Sequence, residues 1–124
     1  MKVVMIEGGF AWAPMLGWRL DNHWAKMRGE VPHLTRKPSD YMKTNLWFAT
    51  QPVEEPEHPE DLRRIFDWIG WDRVLFATDY PHDDPGGRMK YKDVQLLRDH
   101  TKISEEDKDI IRYKSAAAML PALN

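Results

Sequence analysis

The chain has 124 residues, of which 42% are hydrophobic and 31% charged, and its formal net charge is -2. That length suits one domain with its own core and excludes a complete (β/α)8 barrel, which needs about 250 residues. Lys and Arg are dispersed, so nothing marks a nucleic-acid surface, and no apolar run approaches the roughly 18 residues of a membrane span. The lack of cysteine removes disulfides, thiolate metal ligands and a cysteine nucleophile together, and fits a reducing, cytoplasmic location.

Val3 to Ile6 read as a first strand, with Glu7-Gly8-Gly9 forming the turn at its carboxyl end. The apolar run behind Lys2 is too short for a signal peptide, and Glu7 interrupts it. From Trp12 the apolar residues Met15, Leu16, Leu20, Trp24 and Met27 recur at spacings of three and four, which predicts a helix that ends near Gly29 and Pro32. Val31 to Asp40 reads as a loop, and Asp40 to Lys43 as a short helical turn. Asn45 to Thr50 is a second strand, and Gln51 to Pro59, rich in proline and acids, a long exposed loop.

Pro59 opens a helix through Leu62, Ile65, Phe66 and Ile69, stopped by Gly70. The uninterrupted apolar run Val74 to Ala77 suits a strand buried on both faces of a parallel sheet. It stops at Thr78-Asp79, and Pro81 forbids simple continuation. Beyond His82, Asp83 to Gly87 is an acidic loop; helical character returns over Tyr91 to Asp99 and again from Ser104, an N-cap followed by acids, to about Leu120.

Alternation of strand and helix predicts an α/β fold with a parallel sheet. Parallel strands align their carboxyl ends, which places Glu7, Thr50-Gln51 and Asp79 with His82 along one edge. A carboxylate there is costly to desolvate unless a metal, a cation or a substrate compensates it, although an aspartate closing a strand by accepting loop N–H bonds is equally common. Glu, Asp and His together suit zinc, manganese or iron, and Asp79 is the first candidate among them. The six tryptophans read as packing rather than as a ligand box.

The stretch VLFATDYPH, with IEGG at Ile6 to Gly9 and the closing KSAAAML, resembles the C-terminal part of the amidohydrolase-2 family. That family comprises metal-dependent TIM-barrel hydrolases and non-oxidative decarboxylases similar to aminocarboxymuconate-semialdehyde decarboxylase. The resemblance implies that residues 1–124 form a single domain, a C-terminal fragment of such an enzyme. Its fold would be a partial (β/α)8 TIM barrel made of the last three βα units, with strands near 3–6, 45–50 and 74–78, plus a C-terminal helix.

On the same resemblance, Asp79 matches the metal-binding aspartate of the eighth strand, and the complete family site holds a divalent metal, zinc first and manganese second. The family's H-x-H pair is missing here, and His23, His33, His58, His82 and His100 are each isolated. Glu7 stands where decarboxylases carry an acid/base histidine in an HGG context. Glu7 and His82 are therefore expected to assist Asp79 in catalysis, with an ion pair to Arg19 as the alternative for Glu7. Arg19 lies near an arginine that binds the substrate carboxylate across a dimer interface in family decarboxylases.

Two readings follow. The chain is a segment of a metal-dependent hydrolase or decarboxylase acting on a small carboxylate-bearing substrate, incomplete as a catalyst alone and completed by homo-oligomerisation or by a missing N-terminal half. Alternatively it is a non-catalytic, truncated relic that folds and oligomerises.

Overall fold

The computed structural model describes residues 1–82 and 92–120. The predicted acidic loop at Asp83 to Gly87 lies outside them. Three parallel strands form a sheet in the order β1, β2, β3. Strand β1 (Val3–Met5) is followed by helix α1 (Trp12–Met27), which tightens into a single 3-10 turn at Arg28–Glu30. Helix α2 (Pro38–Asn45) leads directly into β2 (Leu46–Ala49), and α3 (Pro59–Ile69) reaches β3 (Val74–Leu75) through Gly70 and a 3-10 turn at Trp71–Arg73. Then come α4 (Lys92–Asp99), α5 (Glu105–Asp109), a π-helical segment (Ile110–Lys114) and α6 (Ser115–Met119).

Register explains where the core lies. Val3, Val4 and Met5 pair with Leu46, Trp47 and Phe48, and Phe48 in turn pairs with Val74. Side chains alternate between faces along a strand. Met5, Phe48 and Val74 therefore form one row across the sheet, and this row meets Phe10, Leu62, Phe66 and Ile111 from the helical layer. Rings interlock there: Phe66 lies 5.1 Å from Phe10 and 5.2 Å from Trp71, centroid to centroid.

All three strands are shorter than the spans predicted, 3–6, 45–50 and 74–78. Beyond Leu75 the backbone of β3 leaves the ladder. Phe76 turns its N–H outward to the carbonyl of Ile111 (3.2 Å), and the Ala77 amide is taken by the Thr50 hydroxyl (3.0 Å). Nor is the Val74 to Ala77 run buried on both faces, because Leu75 is half-buried and Phe76 is 36% exposed.

Periodicity located α1 but not its buried face. Ala13, Pro14 and Gly17 are buried, whereas Met15 and Trp18 are exposed. Small residues face inward because α1 and α3 approach closely: a methyl group on Gly17 would sit 2.6 Å from the Trp68 indole. Helix α2 is a full eight-residue element rather than a loop with a short turn. Pro38 occupies its first turn, and its start is capped by Asp21 of α1, which accepts from the Ser39 amide (2.9 Å) and hydroxyl (2.6 Å). A cap borrowed from 18 residues away leaves no local sequence signal.

At the C-terminal end, Ser104 caps α5 as predicted, accepting from the Asp107 amide at 3.1 Å. The helix does not run regularly to Leu120. It widens into the π-helical segment, where the Ser115 amide bonds Ile110 O, and the Ser115 hydroxyl reaches Trp71 O at 3.1 Å. Lys108, only 5% exposed, joins α5 to the end of α4 by donating to Arg98 O and to Glu105, both at 2.7 Å. Among the described residues no helix is long and apolar enough to cross a membrane.

Candidate metal centre

Every strand of this sheet ends at the same rim, and there the backbone takes an uncommon course. Glu7, two residues past β1, has φ 55°, and Asp79, four past β3, has φ 59°. Both are left-handed conformations that non-glycine residues adopt at a cost of about 1–3 kcal/mol. Gly9 follows at φ 60°. Reversing direction this abruptly keeps both carboxylates at the sheet edge instead of carrying them off along the following loop. The Gln51-Pro52 and Tyr80-Pro81 peptide bonds, also on this rim, are cis.

The consequence is a convergence of donors. One ligand atom each from Glu7, Asp79 and His82 lies within 4.8 Å of the others. Asp79 is half-buried and is fixed from both sides: Gln51 Nε2 donates to its Oδ2 at 3.2 Å, and His82 Nδ1 lies 3.3 Å from its Oδ1. The His82 amide also bonds the Asp79 carbonyl at 2.7 Å, closing the turn that brings the imidazole back over the carboxylate. Glu7 and His82 are exposed. Glu7 therefore stands open to solvent on the rim.

A further acid approaches this rim. Asp93 of α4 is held above the usual carboxylate range, first by burial and then by the charges of Glu55 and Asp79, while a bond from the Val53 backbone opposes the shift. Two carboxylates, an imidazole and a nearby third acid thus gather on this rim. A divalent cation suits such a donor set, since carboxylate oxygen and imidazole nitrogen are the ordinary ligands of zinc and manganese.

Of the predicted site residues, the fold thus brings Glu7, Asp79 and His82 together, with Gln51 beside them. Arg19 stands apart, exposed on α1, and no ion pair joins it to Glu7 among the described residues. His23, His33 and His58 are exposed, and His100 is half-buried. Trp47 is buried, four tryptophans are half-buried and Trp18 is exposed.

Two residues that sequence reasoning passed over hold the Glu7 turn. Glu54 Oε1 accepts from the Phe10 and Ala11 amides, and Trp12 Nε1 donates to the Gly8 and Gly9 carbonyls. The Gln51 to Pro59 loop that carries Glu54 is not wholly exposed, because Val53 is anchored in the core at 5% exposure. Within its run of acids nothing local distinguishes Glu54 from Glu55; the only hint was the paired glycine, which signals that some group approaches the backbone closely.

A parallel α/β sheet whose strand ends gather acids and a histidine is the frame in which α/β enzymes hold ligands and metals. The sequence profile of the amidohydrolase family matches residues 1–122, and the chain belongs to that family.

Solved structures agree. The chain is similar to 5-carboxyvanillate decarboxylase from Sphingomonas paucimobilis, with 27% identity and a TM-score of 0.68 over 97% of this chain and 33% of that one. An amidohydrolase from Mycobacterium avium subsp. paratuberculosis matches at 26% identity and a TM-score of 0.71, covering 97% of this chain and 28% of that one. A dihydroxybenzoic acid decarboxylase from Polaromonas sp. JS666, solved with manganese and the inhibitor 2-nitroresorcinol, matches at 25% identity and a TM-score of 0.68, over 99% and 34% of the two chains. The chain thus spans about a third of the length of these structures. No curated protein sequence matches it.

Proposed function

We propose that residues 1–124 form one domain, the last three βα units of a (β/α)8 barrel, and that they supply part of the metal site of an amidohydrolase-family decarboxylase or hydrolase. The observation that carries this reading is the convergence of Glu7, Asp79 and His82 at the carboxyl rim of a parallel sheet. The donor set fits a divalent ion, with Asp79 as the principal ligand and manganese or zinc as the metal. A metal there would supply Lewis acidity and a template for a bound oxygen group.

The chain's own residues have separate tasks. Gln51 holds one Asp79 oxygen, so that the other faces His82. Glu7 and His82, both exposed, are placed to exchange protons with a substrate or with solvent. Arg19 is assigned the carboxylate of a small substrate, reached from a neighbouring subunit, since a guanidinium matches a carboxylate in forked geometry. Ile6 and Phe76, exposed just beyond the ends of β1 and β3, call for cover from the remaining βα units or a second copy of the chain.

One observation favours the second reading, a unit that folds without catalysing. The outer edge of β3 is already engaged, by the bond from Phe76 N to Ile111 O, where a barrel would need another strand. Manganese titration of the purified chain by calorimetry separates the two. Stoichiometric binding, lost in Asp79→Ala with the fold retained, supports the metal site; a folded chain that binds neither manganese nor zinc supports the non-catalytic unit.

A further inference from the structure

The turn that carries Glu7 is gripped from both sides by residues outside the donor trio. On one side Glu54 Oε1 accepts from Phe10 N at 2.6 Å and Ala11 N at 2.8 Å. On the other, Trp12 Nε1 donates to Gly8 O at 3.0 Å and Gly9 O at 3.2 Å. A Cβ at Gly9 would lie 2.6 Å from the same Oε1, so any side chain there would push the carboxylate off the two amides. Gly9 also has φ 60°, so two independent constraints select glycine.

Glu54 does more than end a helix. The cap position of α1 is Ala11, which offers no side-chain acceptor; its own amide and that of Phe10, at the entry to this 16-residue helix, are bound instead by a carboxylate 43 and 44 residues away. A charged acceptor at a helix N-terminus bonds more strongly than a neutral one. Its other oxygen, Oε2, is buried and has no hydrogen-bond partner among the described residues. The side chain thus accepts a desolvation cost to stay in this place. It is held there by Val53, its core-anchored neighbour.

We infer that Glu54 is a positioning residue: by fixing the backbone from Gly9 to Ala11 it sets where Glu7 stands relative to Asp79. This rests on the reading of Glu7, Asp79 and His82 as the donors of one metal site and deepens it. Glu54 touches neither the metal position nor a substrate; it acts through the two glycines, which would otherwise leave Glu7 free to swing away from the rim.

The test uses the full chain in four forms: wild type, Glu54→Ala, Glu54→Gln, and Glu57→Ala as a control for the loss of one negative charge. Manganese affinity is read by calorimetry, folding by circular dichroism, and exchange of the Phe10 and Ala11 amides by NMR. Loss of a residue that orients a ligand typically costs about 10–100-fold in metal affinity. Glu54→Ala is expected to weaken manganese binding by about tenfold with the fold retained, Glu54→Gln by less, and Glu57→Ala not at all.

Equal affinities in wild type and a folded Glu54→Ala overturn the inference. Should wild type bind no manganese, the metal reading fails separately, and the amides then decide: faster exchange at Phe10 and Ala11 with a shifted Glu7 resonance in Glu54→Ala sustains the clamp, and unchanged exchange removes it. If Glu54→Ala does not fold, Glu54→Gln is judged by the same readouts, with a smaller loss of affinity expected and an unchanged affinity counting against the inference.

Discussion

Glu7→Gly should separate stability from binding in a way that a structural residue cannot imitate. Glu7 is exposed, so its side chain contributes no apolar burial, yet its backbone is held at φ 55°. For an L-residue the left-handed conformation costs roughly 1–2 kcal/mol. Glycine escapes that cost but loses about 0.5–1 kcal/mol in extra chain entropy on folding. The difference is a stabilisation of about 0–1.5 kcal/mol, equivalent to a rise in Tm of about 6 °C at most for a chain of this size. Removal of one of two neighbouring carboxylates acts in the same direction. Manganese affinity should fall at the same time, because one of three donors is gone. Differential scanning calorimetry and a manganese titration of the same sample measure both. A loss of more than about 1 kcal/mol would show that Glu7 holds the fold together, and an unchanged affinity would show that it is not a donor; either outcome refutes the reasoning.

Gly17→Ala places a methyl group 2.6 Å from the Trp68 indole. Overpacking of about 1–3 kcal/mol competes with a helix-propensity gain of about 1 kcal/mol, so a net loss of about 1 kcal/mol is expected in urea unfolding, and a stabilised variant would show that Trp68 yields freely. His100 has its pKa held below the usual histidine value of 6.5, first by burial and then by the charge of Lys108. The unfolded chain therefore takes up a proton below about pH 6.5 where the folded one resists it, and stability falls as the pH drops through that window. In His100→Gln this loss should shrink, read as a smaller gap between urea midpoints at about pH 5 and about pH 7.5.

What could be read from the sequence was what is local. Pro59 and Gly70 mark both ends of α3, and the run from Val74 to Asp79 marks a strand and the turn that carries Asp79. Alternation of elements then suffices to align three strand ends, which is how the sequence itself points to Glu7, Asp79 and His82. Hidden features all depend on long separations. Asp21 caps α2 from another helix, Glu54 holds the start of α1 from beyond β2, and Ile111 bonds Phe76 from 35 residues downstream. Spacing also misled about α1. Its large apolar residues recur with helical period, but the close approach to Trp68 gives the inward face to Ala13 and Gly17. Periodicity reports that a helix has a stripe; which stripe is covered depends on the neighbour.

The widened turn at Ile110–Lys114 has a consequence for the sheet. It houses one residue more than a regular winding of the same rise, so everything beyond it keeps a phase that an ordinary α-helix would shift by about 100°. That phase lets the Ser115 hydroxyl meet Trp71 O while the Ile111 carbonyl receives Phe76. Rewinding the segment to a regular helix would break both bonds at once. The terminal helix therefore acts as a latch whose closure depends on a single surplus residue, and its release would uncover the edge of β3 to any strand within reach.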